Sequence, residues 1–273
     1  MTHVYNPQTR ALLDKVRTNP PQSLLLRGVV GVGLLTAAKD LAGARIAHTV
    51  YPTDIKGEVD TTKGIIRVAD IRYLYSLVRG KSKTKRYIVI DGADTMNTTA
   101  QNAFLKLLEE PQPNVYFILT AHRPELLLPT IISRVQTVTI LPLDENQTKA
   151  FIRRGVDDEQ KIRQLMFIAS GRPAELSRLM NDDAYFERQS KLVTSARTLL
   201  SSNTYERIRI AHEYFSDREM ALDLIRTAIL VIQFTIQNKP SPQLLETAER
   251  LSTAYDRIKN NGSVRTQLVA AVV

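Results

Sequence analysis

The segment Gly28-Val-Val-Gly-Val-Gly-Leu-Leu-Thr36, with glycines at 28, 31 and 33, carries the spacing of a phosphate-binding loop. In such a loop, backbone N–H groups at a helix N-terminus point at phosphates, and glycine stands where the backbone must approach closely. The chemistry also needs a lysine against the terminal phosphates and a Ser or Thr hydroxyl on magnesium. Leu34 and Leu35 occupy those two positions and offer neither charge nor hydroxyl. Lys39 lies more than a helical turn further on and is a poor substitute. Taken alone, Gly28, Gly31, Gly33, Leu34 and Leu35 read as a strand-to-helix turn that binds nothing. A second constellation changes the weighting. The run Tyr87-Ile-Val-Ile-Asp91 places a carboxylate at the C-terminal end of a strand, where ligands sit in open α/β sheets. Asp91 could help to hold magnesium through water. The next residue is Gly92, where a hydrolytic site would place a glutamate, and glycine cannot polarise an attacking water.

Strands alternating with helices must position these residues. Residues 8–18 have Leu12, Leu13 and Val16 at helical spacing, and Pro20-Pro21 stops that helix. Residues 23–27 form a short apolar run, predicted as a buried strand entering the glycine loop. A helix over 34–44, a strand over 46–51 and a polar loop over 52–64 follow. The helix predicted over 68–79 has Ile71, Leu74, Tyr75 and Val78 on one face. Then come a strand over 87–91, a helix over 98–110 with Asn97 as N-cap and Pro111 past its end, and strands over 115–120 and 136–140. This order predicts an α/β fold with a parallel sheet covered on both faces. The pattern fades after Leu141. Helices are predicted over 144–154 and 159–169, Gly171-Arg-Pro173 opens another, and from Ala184 nearly everything is helical apart from a break at 238–242. The expected division is 1–141, 142–183 and 184–273.

The run YIVIDGADTMNTTAQNAFLKLLEEPQPNVYFILTAHRPELLLPTIISRVQ, residues 87–136, resembles the clamp-loader branch of the AAA+ ATPases. In that family a strand ends in an Asp-x-Ala-Asp motif, matched here by Asp91-Gly92-Ala93-Asp94. An "AQNALLKLLEEP"-like helix follows, matched from Ala100 to Pro111. Next comes a strand ending in a sensor residue, here Thr120, and then "LPTIxSRC", matched from Leu128 to Val135 with valine in place of cysteine. Ser170-Gly-Arg-Pro-Ala174 looks like the lid element that carries the second sensor, here Arg172. The resemblance implies an AAA+ parallel-sheet nucleotide domain (1–141), a small helical lid (142–183) and an all-helical collar (184–273). It implies a vestigial nucleotide site at Gly28, Gly31, Gly33, Leu34, Leu35, Asp91, Thr120 and Arg172, with no cofactor required and ATP binding lost or vestigial. It also implies that Ser133 and Arg134 supply an arginine finger to a neighbouring subunit's ATP, where a guanidinium stabilises charge spread over a γ-phosphate in trans. The alternative for Arg134 is a local salt bridge at a helix end.

Within that family, a defective loop beside an intact Ser-Arg pair implies a non-catalytic stator subunit of the DNA polymerase III clamp loader. Its partners would be gamma/tau-like ATPase subunits and a delta-like subunit in a hetero-pentameric ring that places a sliding clamp on primed DNA. Many relatives carry a four-cysteine zinc module near the place of the 52–64 stretch. This chain has no cysteine, so a zinc site of that kind is not expected. The chain is also short for the family, which suggests a trimmed collar. A second reading is a gamma/tau-like ATPase with a degenerate but active loop, supported by Asp91 and Thr120. A third is a free-standing basic DNA-binding protein, for which no helix-turn-helix or aromatic-rich basic surface is evident.

Composition sets the outer limits. The 273 residues carry 37 Lys and Arg against 28 Asp and Glu, a net +9 that favours polyanions or acidic partners. Absence of cysteine excludes disulfides, thiolate metal sites and thiol catalysis. The N-terminal residues lack an apolar signal region and no apolar run approaches a membrane span, so a cytoplasmic protein is expected. Residues 72–86 hold Arg72, Arg79, Lys81, Lys83, Lys85 and Arg86 without an acid, a run that could track phosphates but is more often a solvated loop. His3, His48, His122 and His212 have no metal-site spacing, and His122 is expected to be a satisfied surface histidine. Glu109 and Glu110 end a helix unfavourably to its dipole, which suggests another role such as a subunit contact.

Overall fold

The computed structural model describes residues 3–79, 84–238 and 241–273. Lys81 and Lys83 of the basic run lie outside the described residues. The chain divides into two compact units, Met1–Ser177 and Arg178–Val273.

The first unit is built on five parallel strands: β1 (Ser23–Arg27), β2 (Ile46–Val50), β3 (Arg86–Ile90), β4 (Val115–Ala121) and β5 (Gln136–Thr139). Their order in the sheet is β2-β3-β4-β1-β5. Helix α1 (Pro7–Thr18) precedes β1, and α2 (Leu34–Ala42), α3 (Val68–Val78), α4 (Thr98–Glu109) and α5 (Pro129–Ile132) fill the connections. Alternation along each strand splits its side chains between two cores. Leu25, Ile88, Ile90, Phe117 and Leu119 pack with Ile71, Leu74 and Phe104 on one face. Leu24, Leu26, Val89 and Ile118 pack with Leu13, Leu34, Ala37 and Leu41 on the other. Each fully buried Leu, Ile or Phe contributes about 1.5–3 kcal/mol of transfer free energy, so these two layers hold the sheet against its helices.

Local chemistry sets the element ends. Asn97 caps α4 by accepting from Ala100 N–H at 2.8 Å, as its type and position predict. Helix α2 stops at Ala42 rather than at residue 44, because Gly43 adopts φ +57° and a 3-10 turn, Gly43–Arg45, follows. The 52–64 stretch is irregular but tied down. Isolated bridges join Thr53 to Val59 and to Ile65. The Arg67 guanidinium donates to Thr53 Oγ1 at 2.7 Å and to the Asp54 carbonyl at 2.8 Å.

Three helices complete this part of the chain: α6 (Glu145–Ile152), α7 (Glu159–Ala169) and α8 (Pro173–Asn181), the last of which runs past the boundary between the units. Within the first unit, the connector at 141–147 is pinned to the N-terminal segment. Leu141 N–H donates to the buried Thr9 Oγ1 at 2.9 Å, and Asn6 Nδ2 donates to the Pro142 carbonyl at 2.9 Å.

The second unit consists of α9 (Asp183–Ser201), α10 (Thr204–His212), α11 (Arg218–Asn238), α12 (Pro242–Lys259) and α13 (Val264–Val272). Leu192, Leu199, Ile225, Ile232, Leu251, Ile258 and Leu268 form its core. No described helix is long and apolar enough to cross a membrane.

Candidate functional site

The glycine loop leaves β1 at Gly28 and enters α2 at Gly33. Gly28 has no room for a side chain, because an added Cβ would stand 2.7 Å from the Ile140 carbonyl oxygen. Gly31 and Gly33 both sit at φ +89°, in the left-handed region that glycine alone adopts cheaply. The glycine pattern therefore has the backbone geometry its spacing predicts. The next two residues do not face that geometry with chemistry. Leu34 is 3% exposed and belongs to the core on one face of the sheet, and Leu35 packs half-buried against the same core. Leu34, which stands at the lysine position of the sequence pattern, is a core residue.

The loop's carbonyls are also engaged. The Gly31 carbonyl accepts from Ala174 N–H at 2.9 Å and Glu175 N–H at 3.2 Å, two first-turn donors of α8 that have no partner inside the helix. Arg172, predicted at the second-sensor position, donates through Nε to the Ala169 carbonyl at 2.8 Å and through Nη2 to the Ile168 carbonyl at 2.8 Å. Its Nη1 reaches the Val30 carbonyl at 3.4 Å. The guanidinium thus closes the end of α7 and ties it to the loop.

Strands β3, β4 and β1 are neighbours in the sheet, so their C-terminal ends bring Asp91, Thr120 and Gly28 together. Thr120 Oγ1 donates to Asp91 Oδ1 at 2.7 Å and accepts from Gly92 N–H at 2.8 Å. Burial pushes the Asp91 carboxyl above its ordinary range, and the Thr120 hydroxyl offsets part of that rise. His122 Nδ1 stands 2.8 Å from the Gly28 carbonyl oxygen, so that nitrogen carries the proton. His122 is thus satisfied at the surface, as expected, and it joins β4 to the loop. The buried Asp94 accepts from Arg123 N–H at 3.0 Å and lies 3.7 Å from Arg123 Nε. This brace was not foreseen, because two exposed-type residues 29 positions apart give no periodic signal.

Ser133 and Arg134 follow the short helix α5. Four residues do not hold a helix by themselves, so the neighbouring structure must. Ile131 and Leu127 are buried in the core. Gln101, a buried residue of α4, accepts from Leu128 N–H at 2.7 Å and donates to the carbonyls of Leu126 and Met96, both at 3.1 Å. The bonds to Leu128 and Leu126 fix the entry to α5, and the bond to Met96 ties Gln101 to the turn before α4. Val135 packs half-buried against the same core, which suits an apolar side chain in the motif's cysteine position. Arg134 is exposed. Its Nη2 lies 3.1 Å from Glu109 Oε1, and its Nη1 donates to the Thr130 carbonyl at 3.0 Å. In the isolated chain, Glu109 thus contacts Arg134 rather than remaining free at the helix end. The local salt bridge at a helix end, the alternative for Arg134, is thus present in the free chain.

Among the described residues no group of three or more His, Asp or Glu side chains is placed to hold a metal ion. A family model described as DNA polymerase III, delta subunit, matches residues 44–144, a span that holds Asp91, Thr120, Ser133 and Arg134 but not the glycine loop. The chain is 28% identical over 226 residues to the DNA polymerase III subunit delta' of Pseudomonas aeruginosa PAO1, covering 73% of this chain and 68% of that one. Over most of its length the chain is similar to a delta' subunit of DNA polymerase III. A second delta' subunit, from Bacillus subtilis 168, is 29% identical over 171 residues, covering 59% of this chain and 51% of its own length. The chain therefore spans about two thirds of one relative and half of the other. A solved structure of a DNA polymerase III gamma subunit-related protein from Thermotoga maritima superposes with TM-score 0.55 at 19% identity, covering 96% of this chain and 97% of that one. At that identity the likeness is one of fold, extending over the sheet and the helical region that follows.

Proposed function

We propose that this chain acts as a non-catalytic, stator-type subunit of a clamp loader and presents Arg134 to the ATP of a neighbouring gamma/tau-like subunit. Its other partners would be a delta-like subunit in a hetero-pentameric ring, with a sliding clamp and primed DNA reached through the complex. The sheet core (1–141) and lid (142–183) would form the face toward the neighbour, and the helices of 184–273 the collar.

The observation that carries this reading is the burial of Leu34 in the core at the place of the phosphate lysine. A neutral, buried side chain cannot offset γ-phosphate charge, and losses of that kind are worth several orders of magnitude in rate. Arg172 supports the same reading, because its guanidinium already serves three backbone carbonyls. Arg134, by contrast, stands exposed on an element fixed by Gln101.

The Asp91–Thr120 pair supports the competing reading, a gamma/tau-like subunit that still turns over ATP in the degenerate loop. Steady-state hydrolysis by the purified chain separates the two. The stator reading expects turnover indistinguishable from buffer. Magnesium-dependent hydrolysis that is lost in Asp91→Asn would establish the competing one.

A further inference from the structure

Glu109 is the last residue of α4, where unpaired backbone carbonyls already concentrate negative potential. A carboxylate there is unfavourable unless a cation covers it. The cation is Arg134, 3.1 Å away, and the two side chains are 51% and 39% exposed. Arg134 is held on its other side by the Thr130 carbonyl at 3.0 Å, with Ser133 Oγ at 3.4 Å. The guanidinium is thus oriented by three oxygens, of which only Glu109 carries a formal charge. Both ends of the pair stand on braced backbone. Gln101 ties α4 to the residues entering α5, so the carboxylate and the guanidinium keep their separation without further ordering.

Resting on the finger reading above, we propose that Glu109 is the parking site of Arg134: it holds the guanidinium in the free chain and gives it up to the phosphates of a neighbour's nucleotide. The exchange follows from charge and exposure. An ion pair open to water is weak and screened. A triphosphate offers several negative oxygens where Glu109 offers one carboxylate, and planar bidentate pairing suits either acceptor. Glu109 is therefore a positioning residue that competes with the nucleotide for one guanidinium. It lowers the apparent affinity of the adjoining site for ATP and keeps Arg134 ordered before that site fills.

The test uses the reconstituted complex with this chain as wild type, Glu109→Gln, Glu110→Gln, Arg134→Ala, and Glu109→Gln with Arg134→Ala. ATP turnover is measured over a range of ATP concentrations. Glu109→Gln is expected to lower the apparent KM for ATP about 2- to 5-fold, the range of an exposed ion pair, while Glu110→Gln leaves it unchanged. The double variant is expected to match Arg134→Ala. Thermal unfolding of Glu109→Gln alone shows that the chain remains folded. A Glu109→Gln complex with wild-type KM, or with turnover reduced as in Arg134→Ala, overturns the parking role and leaves the finger standing. An Arg134→Ala complex with wild-type turnover overturns the finger and the parking role together.

Discussion

Two parts of the first unit began from similar family patterns and end in opposite states. The glycine loop is closed on itself. Its lysine position lies in the core, its Gly31 and Val30 carbonyls are engaged by α8 and Arg172, and Asp91 is held by Thr120. The segment after α5 has a rigid base and an exposed, weakly paired tip at Arg134. In the first region the polar groups serve the fold, while in the second the guanidinium stays exposed in an ion pair open to water. Substitutions in the first region should therefore change stability, and those in the second should change activity in the assembly.

The largest expected effect on stability is at Gly171. It sits at φ +75°, and a Cβ there would stand 2.4 Å from the Leu143 carbonyl oxygen. Gly171→Ala should cost about 2–5 kcal/mol, combining left-handed backbone strain with overpacking, read as a shift in the urea midpoint. An unshifted midpoint would mean that Gly171 and the Leu143 carbonyl are not held as closely as described.

Replacing Leu34 by lysine and Leu35 by threonine restores the motif's letters but not its site. The variant should lose about 2–4 kcal/mol, because it removes a packed leucine and draws an ammonium toward the core. It should still fail to hydrolyse ATP, since Gly92 offers no base. Recovery of turnover would break the contrast between the two regions.

Arg172→Ala should come next, at about 1–2 kcal/mol for the lost hydrogen bonds to backbone carbonyls. Amide exchange should rise selectively over residues 28–33. Equal protection in both proteins would show that Arg172 does not hold the loop.

Asp91→Asn should have the smallest effect, and in the stabilising direction. Burial raises the Asp91 pKa above its ordinary 3.8, so the unfolded chain ionises more readily than the folded one. Stability is then lost as pH rises from the ordinary value through the folded one. The asparagine variant should melt higher than wild type at pH 7, and the gap should close as pH falls toward the ordinary value. A gap that widened on acidification would reverse the assigned cause.

The sheet was legible because parallel strands buried on both faces leave continuous apolar runs, such as Leu24 to Leu26 and Ile88 to Ile90, between helical periodicities. Caps such as Asn97 were legible for the same local reason. The Ser133–Arg134 and Asp91–Thr120 positions came from the motif rather than from periodicity. What could not be read were closures between distant residues. Glu109 meets Arg134 across 25 positions, and Gly31 meets Ala174 through a backbone carbonyl that leaves no mark on side-chain pattern. The dipole cost at Glu109 signalled that it needed a partner, but sequence alone pointed to another subunit rather than to this chain's own arginine.

The central claim is that this chain has given up its own nucleotide chemistry and keeps a guanidinium for a neighbour's. The most direct measurement is single-turnover ATP hydrolysis in the reconstituted complex carrying wild-type chain, Arg134→Lys or Arg134→Ala, with unfolding of each free chain measured in parallel. Loss of an exposed pair should move stability by under about 0.5 kcal/mol. The account predicts that hydrolysis at one site slows by about 10³-fold or more in both variants, because lysine keeps the charge but not the planar fork. Unaltered hydrolysis at every site with Arg134→Ala, in a complex that still assembles, would contradict it.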